Sequence, residues 1–332
     1  MLKRLRIDPY VMTLLGTVAL ASALPARGGF AVMAEWVTAF AIGLLFFLYG
    51  ARLSPQAALA GARQWRLHGA VLVATFVLFP VLGLGFAVLV PRLISPDIYT
   101  GILFLCALPS TVQSSIAFTS IARGNVAAAI CAASASNMLG ILLTPLLASL
   151  LLGAHVAISP RAIGDIVAQL LLPFAAGQLL RPWIATWVAT HKRLLNPVDR
   201  GSILLVVYTA FSAGVVAGIW HRLTAADLAA LLVANIVLLA LVLAITTYAA
   251  RALGFSREDE IVLVFCGSKK SLASGLPMAT VLFPAATAGL VVVPLMLFHQ
   301  IQLIACAALA RRYAAHQPEP ASRPTATLGV PR

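Results

Sequence analysis

The segment VLVFCGSKKSLASGLP, residues 262–277, places two adjacent lysines in the middle of an otherwise apolar stretch. The chain contains only four lysines beside 19 arginines, so half of its lysines stand here. At the centre of a membrane helix each lysine costs on the order of 3 kcal/mol, because its charge has left water. Lys269 and Lys270 also lie too far from either end of the stretch to reach an interface easily. The segment therefore predicts a membrane helix with a polar functional site halfway along it.

The rest of the chain has the composition of a membrane protein. Of its 332 residues, 61% are hydrophobic and 10% are charged, whereas a soluble domain carries about 25% charged residues. The mean hydropathy is +0.99, and the apolar residues form long runs of the kind that cross a bilayer. The net charge of +13 comes from basic residues at the ends of these runs, without a basic stripe. It indicates membrane loops rather than nucleic-acid binding.

Ten apolar runs are predicted as transmembrane helices, which makes the chain an all-α integral membrane protein. The predicted spans are residues 9–25, 36–51, 69–90, 98–121, 126–152, 163–180, 202–220, 227–250, 260–283 and 288–310. The first run also resembles a secretory signal peptide, but a first membrane helix agrees better with the membrane domain that follows. Residues 1–313 form the predicted ten-span domain, and the Pro-rich residues 314–332 form a predicted disordered tail.

Lysine and arginine are distributed unequally between alternate loops. With the N-terminus inside, 17 of the 23 basic residues lie on the inner side and four on the outer side. The remaining two are the lysine pair. Because positive charge beside membrane helices stays on the cytoplasmic side, this bias predicts an even number of spans with both termini in the cytoplasm. The predicted location is the bacterial inner membrane.

Two junctions between a loop and a helix resemble each other. RLSPQAAL, residues 52–59, and RLTAADLA, residues 222–229, each follow the second span of a five-span half and open the third. Ser54 and Thr224 are suitable N-caps, so shared capping preferences are an alternative explanation. On the predicted topology the first junction lies inside and the second outside. This predicts two inverted five-helix repeats, at about residues 9–152 and 163–310.

Span four contains a predicted helix break. Pro109 lacks a backbone donor and clashes with the preceding turn, and a polar run follows it at mid-membrane depth. Irregular backbone is tolerated there only where it lines a cavity or is covered by protein. A kinked but continuous helix, whose hydroxyl groups bond to its own backbone, is the alternative. The candidate substrate or ion ligands in this run are Ser110, Thr111, Gln113, Ser114 and Ser115.

Span nine is predicted to hold the corresponding break in the second half. Gly267, Gly275 and Pro277 should loosen the helix, and a half-helix N-terminus would add partial positive charge. All ten Asp and Glu residues lie at span ends, in loops or in the tail, so the predicted site is cationic or neutral. Two interfacial segments with the lysines in a loop are the alternative, but they would give an odd number of spans. The candidate ligands are Ser268, Lys269, Lys270 and Ser271.

Three further polar side chains fall at the same predicted depth, namely Asn137 in span five and His299 and Gln300 in span ten. A buried His is more commonly a hydrogen-bonded packing residue than a proton carrier, and Asn137 is equally suited to joining two helices. The four cysteines lack metal-ligand spacing, so neither a metal site nor a cofactor is predicted. The chain has no GxSxG, HExxH, paired acids or Walker loop, so an enzyme is not predicted either.

With these residues identified, the chain resembles the bile acid:sodium symporter-like family. ALPSTVQSSIAFTSIARGNVAAAICAASASNMLGILLTPLL, residues 107–147, is similar to spans four and five of that family, and the loop ARGN at residues 122–125 is the most specific part. FCGSKKSLASGLP, residues 265–277, resembles its ninth span, and FHQ, residues 298–300, its tenth. The likeness covers about residues 8–313. The lysines are similar to those of the divergent bacterial branch related to the seventh human member.

The resemblance implies that spans four and nine are broken and cross at the midplane, beside a panel of spans one, two, six and seven. It also implies two sodium ions near the crossing and an organic anion in the adjacent cleft. The chain departs from the family there, because Phe265 replaces a sodium-binding Glu and the lysine pair replaces a Gln-Asn pair. Ala129 and Ala133 replace hydroxyl ligands. Sodium coupling is therefore doubtful, whereas the fold is not.

Together these features predict a secondary transporter of an organic anion or other small solute. One of the lysines, with Lys270 preferred, would act as a charge partner for the substrate or as a proton carrier. The coupling ion would be H⁺ or Na⁺, and the partners a small, anionic substrate and the lipid bilayer, with no nucleic acid. The alternative is a regulatory membrane protein that senses an ion or a lipid without net transport.

Overall fold

The computed structural model describes residues 9–52, 64–153, 164 and 167–316, and these residues are nearly all helical. In the first half of the chain they form α1 (Pro9–Ala23), α2 (Gly28–Arg52), α3 (Trp65–Val73), α4 (Phe79–Gly85), α5 (Pro96–Ala107), α6 (Val112–Ile121) and α7 (Val126–Leu152). In the second half they form α8 (Leu172–Thr190), α9 (Lys192–Val216), α10 (Ile219–Arg222), α11 (Ala225–Ala252), α12 (Arg257–Gly267), α13 (Leu272–Leu282) and α14 (Ala285–Ala315). A π-helical turn, Ala74–Leu78, joins α3 to α4, and another, Val167–Leu171, precedes α8.

Long apolar helices make this a multi-pass membrane protein. Among the described residues, six helices have the length and composition to cross a membrane. The pair α5 and α6 is a seventh if it counts as one crossing that bends by 65°. The number of ten spans and their inverted arrangement remain predictions. The six are α2, the segment Trp65–Leu89 that contains α3 and α4, α7, Arg193–Val216 within α9, α11 and α14.

Several helices are longer than the apolar pattern predicts. α8 continues to Thr190 and α9 begins at Lys192, whereas the predicted spans end at residue 180 and begin at residue 202. Hydropathy marks the part of a helix that suits lipid, but Lys and Arg are good helix formers and the helix continues through them. For the same reason α14 reaches Ala315 and includes the first two residues of the tail that is predicted from residue 314. Residues 317–332 lie outside the described residues.

The predicted cap at Thr224 is confirmed. Thr224 Oγ1 accepts a hydrogen bond from the backbone N–H of Asp227 at 3.1 Å, and Asp227 Oδ2 accepts one from the backbone N–H of Thr224 at 3.0 Å. This reciprocal capping box satisfies two donors that a helix start leaves without an internal partner. The related junction at Ser54 lies outside the described residues, so the similarity of the two junctions stays a prediction.

α2 and α8 cross with their backbones in contact. A methyl group at Gly50 would overlap the carbonyl oxygen of Phe174, and one at Gly177 would overlap that of Phe47. Small residues at such positions are what allows membrane helices to approach this closely. α1 and α2 also pack on α9, which in turn packs on α13 and α14. We call α1, α2, α8 and α9 the four-helix group.

Candidate functional site

Two helix interruptions lie in contact with each other. Residues 108–111 separate α5 from α6, and residues 268–271 separate α12 from α13. The backbone N–H of Ser271 donates a hydrogen bond to the carbonyl oxygen of Pro109 at 2.9 Å. The breaks that the sequence predicts in spans four and nine are therefore present, and a backbone hydrogen bond joins them.

The glycines and prolines of span nine have different roles from those predicted. Gly267 is the last residue of α12, but Gly275 and Pro277 lie inside α13. A Cβ atom at Gly275 would come 2.5 Å from a methyl group of Leu108, so this glycine allows the first interruption to pack on α13. Helix propensity is a weak preference that packing overrides. The glycine and proline positions therefore predict the place of the break only to within one or two helical turns.

Hydroxyl groups beside Pro109 bond to the end of α12. Ser110 Oγ donates to the carbonyl oxygen of Cys266 at 2.6 Å, and Ser115 Oγ donates to that of Phe265 at 3.0 Å. The last carbonyl groups of a helix have no intrahelical partner, and these two serines supply donors for them. Ser110 and Ser115 are fully buried. They therefore join two helix ends.

Lys270 is fully buried between the end of α5 and the π-helical turn before α4. Its Nζ donates to the carbonyl oxygens of Thr75 at 2.8 Å, Cys106 at 2.8 Å and Leu108 at 2.7 Å. Nζ also lies 4.1 Å from the centre of the Phe79 ring, within the range of a cation–π contact. All three N–H bonds of the ammonium group are thus directed at carbonyl oxygens.

Lys269 is equally buried but has different surroundings. Its Nζ donates to one carbonyl oxygen, that of Ser114, at 2.8 Å. Two aromatic rings face the same nitrogen, with the centres of Phe118 at 4.0 Å and Phe265 at 5.3 Å. The adjacent lysines therefore occupy two separate environments, one formed by carbonyl groups and the other mainly by aromatic faces.

Polar side chains of α14 and α7 hold the second interruption in place. Gln302 Oε1 accepts a hydrogen bond from the backbone N–H of Lys270, and Gln302 Nε2 donates to the carbonyl oxygen of the same residue, each at 2.9 Å. Nε2 also lies 2.9 Å from His299 Nδ1. Asn137 Oδ1 accepts from Ser274 Oγ at 2.7 Å, which joins α7 to α13. Gln302 is absent from the predicted ligands because its role depends on backbone geometry that no spacing reveals.

A cavity of about 430 Å³ lies between the four-helix group and the two interruptions. It is bounded by α2, α8 and α9 on one side and by residues of both interruptions, α6, α7, α13 and α14 on the other. The predicted ligands that line it are Thr111, Gln113, Ser114, Asn137, Ser271 and His299. The predicted ligands that do not line it are Ser110, Ser115, Ser268, Lys269, Lys270 and Gln300. Direct pairing of a lysine with a substrate in this cavity is therefore not supported.

The charged residues of the cavity are ones that the sequence analysis assigned to loops. Arg52 at the end of α2 and Asp199 and Arg200 in α9 line it, and Arg52 Nη1 donates to Asp199 Oδ2. Asp199 adds an acid to the lining, but the two arginines keep the charged lining net positive. The missed signal is helical spacing, because Asn196, Asp199, Arg200 and Ile203 lie on one face of a helix and all four line the cavity.

A multi-pass membrane protein with two interrupted helices in contact, and a cavity with charged and polar lining residues beside them, has the architecture of a membrane transporter. The chain belongs to the SBF-like CPA transporter family, whose profile matches residues 8–315. The resemblance seen in the sequence is thereby confirmed.

Individual relatives agree with this assignment. The chain is 58% identical over 317 residues to "Uncharacterized protein PA2026" of Pseudomonas aeruginosa, and the aligned region covers 95% of each chain. It is 54% identical over 308 residues to "Putative symporter YfeH" of Escherichia coli, with 92% of this chain and 93% of that one covered. It is also 26% identical to sodium/bile acid cotransporter 7-A of Xenopus laevis, over 92% of this chain and 91% of that one.

Proposed function

We propose that this protein is a secondary transporter that moves a small organic anion, or another small polar solute, by alternating access. The observation that carries the proposal is the cavity of about 430 Å³ beside the two interruptions, a volume typical of small-molecule sites. Its charged lining residues are two arginines and one aspartate, which leaves an excess of one positive charge. Guanidinium groups bind carboxylate and similar anions through paired hydrogen bonds.

The lining also contains several groups that can form hydrogen bonds with a substrate. Thirteen of the 20 residues that line the cavity have polar or charged side chains. Ser114, Asn137 and Asn196 carry hydroxyl and amide groups of the kind that bond to hydroxyl or carbonyl groups of a ligand. We therefore propose a compact anion with several hydrogen-bonding groups.

Alternating access requires two parts of the protein to move relative to each other. We assign the four-helix group as the panel and the other helices as the core, within a domain of residues 1–313 that contains inverted repeats at about residues 9–152 and 163–310. The order of elements supports this assignment, because α5–α6 and α12–α13 are each interrupted and each is followed by a long helix, α7 or α14. The excess of basic residues supports cytoplasmic termini and the inner membrane.

The coupling ion is H⁺ in this proposal, carried by a lysine, rather than Na⁺. Ala129 and Ala133 offer no side-chain oxygen, and both are fully buried in α7. Two relatives are named as a symporter and a sodium/bile acid cotransporter, which supports coupled transport as the general activity. A buried lysine next to the interruptions provides the titratable group.

The proposal is tested with purified protein. Polar mono- and dicarboxylates, sulfonates and a bile acid are first screened for thermal stabilisation, and each stabilising compound is then tested for uptake into proteoliposomes. We expect a polar anion to bind and to accumulate. Arg200→Gln should weaken its binding at least about tenfold, which corresponds to one lost charged hydrogen bond. Arg66→Gln, at an exposed position where Arg66 bonds to the carbonyl oxygen of Leu253, is the matched control.

Two outcomes would contradict the proposal. Binding of an anion without uptake under any ion gradient would favour the regulatory or sensor function instead. Equal loss of binding in the Arg200 and Arg66 variants would show that the cavity arginine has no specific role in recognition.

A further inference from the structure

The amino group of Lys270 has the surroundings of a bound monovalent cation. Three backbone carbonyl oxygens lie 2.7–2.8 Å from Nζ, and the Phe79 ring covers it with its centre 4.1 Å away. Lys270 is fully buried. Backbone carbonyl oxygens, in particular those at the C-terminal ends of interrupted helices, are the groups that membrane proteins use to replace the water around Na⁺ or K⁺.

The protonation state follows from the number of acceptors. A neutral amine has two N–H donors, whereas three carbonyl acceptors at hydrogen-bond distance require the three donors of an ammonium group. Two of the acceptors, Cys106 and Leu108, lie at the end of α5, where the helix dipole adds partial negative charge. The third, Thr75, belongs to the π-helical turn, in which the usual backbone pairing is altered. The carbonyl groups of three chain positions therefore converge on one positive charge.

We propose that the Lys270 ammonium is a covalently attached cation that occupies a carbonyl-lined monovalent cation site, so that the contact between the interruptions carries its own cation. Removal of the side chain should expose a site that a free Na⁺, K⁺ or methylammonium ion can fill. Lys269 provides a contrast on the same segment, because its Nζ has one carbonyl partner and two aromatic faces. That environment lacks the oxygen ligands that a small metal cation needs.

The experiment measures stability and is therefore independent of the transport proposal. Wild type, Lys270→Ala and Lys269→Ala are extracted, purified and melted in equal concentrations of sodium, potassium, methylammonium or choline chloride. Choline is too large to enter the space left by a lysine side chain. We expect Lys270→Ala to melt below the wild type in choline and to recover by about 3 °C or more in at least one small cation. The melting temperature of the wild type should be the same in all four salts, and so should that of Lys269→Ala.

Each other result would overturn the inference. A Lys270→Ala protein that melts at the same temperature in all four salts has no free-cation site. A similar rise in Lys269→Ala and Lys270→Ala would be a general salt effect. A third result concerns purification. If folded Lys270→Ala protein cannot be purified in any of the four salts, while folded Lys269→Ala protein can be purified in all of them, a free cation cannot replace the ammonium. The wild type alone also tests the inference. If sodium, but none of the other three cations, raises its melting temperature, the contact does not supply its own cation.

Discussion

At the scale of single residues, Lys269 and Lys270 are adjacent in the sequence but differ in how tightly they are held. Lys270 would have to break three hydrogen bonds to release a proton, whereas Lys269 has one carbonyl partner. That partner is the backbone carbonyl group of Ser114, a residue that lines the cavity. A proton carrier needs a route to water, so we expect Lys269, rather than the Lys270 that the sequence analysis preferred, to exchange protons during transport.

This expectation gives a prediction for pH dependence. Lys269→Gln should abolish the pH dependence of uptake, because an amide does not titrate, and Lys269→Arg should keep the site charged at every pH tested, since Arg does not deprotonate in proteins. The measurement is uptake into proteoliposomes at pH values on both sides of neutrality, with and without sodium. A strict sodium requirement in the wild type, together with unchanged pH dependence in both variants, would refute lysine-based coupling.

For the polar run after Pro109, the sequence predicts the helix break but not which hydroxyl groups face the cavity. Pro109 and its hydroxyl neighbours were sufficient to predict a break, because their chemistry is local. Which hydroxyl groups face the cavity depends on where the backbone turns in the interruption, and that is set by contacts with α12. As a result, Thr111 and Ser114 line the cavity while Ser110 and Ser115 bond to α12.

A second prediction follows from this division. In a background that carries Cys131→Ala, Ser114→Cys should react with a small aqueous thiol reagent, whereas Ser115→Cys should remain unmodified. The three other cysteines are fully buried and should not react with the reagent. Mass spectrometry of the intact protein after labelling measures the result. Equal labelling at both positions would mean that α6 has a different orientation or that the helix opens freely.

At the scale of helices, the apolar pattern predicted long membrane helices but not their full length or their close contacts. Asp199 and Arg200 were assigned to a loop, yet they belong to α9 and line the cavity. The contact between α2 and α8 could not be predicted either, because glycine is common in membrane helices and only the neighbouring backbone shows which glycine is required.

The contact gives a third prediction. Gly177→Ala should lower stability by about 1–3 kcal/mol, because the added methyl group overlaps the Phe47 carbonyl oxygen and must push α2 and α8 apart. Gly29→Ala, at a position in α2 with open space around the added methyl group, is the control and should leave stability almost unchanged. Thermal unfolding in detergent measures both. If both variants melt together with the wild type, the helices do not cross as closely as described.

At the scale of the whole molecule, the residues that line the cavity can be compared with the predicted topology. Arg52 and Arg200 line the cavity, and both belong to segments that the excess of basic residues assigns to the cytoplasmic side. Asn196, one turn before Arg200 in α9, also lines the cavity and is exposed. On the predicted topology, this conformation opens towards the cytoplasm.

The fourth prediction tests orientation and cavity together. In the Cys131→Ala background, Asn196→Cys should react with a membrane-impermeant thiol reagent much faster in inside-out vesicles than in intact spheroplasts. Ala286→Cys lies at the exposed start of α14, which the topology places on the opposite side, and should show the reverse preference. A transported anion that shifts the protein towards its other conformation should slow the labelling of Asn196→Cys without changing that of Ala286→Cys. If the two positions are labelled from the same side, the two-sided arrangement of inverted repeats is wrong, whatever the substrate proves to be.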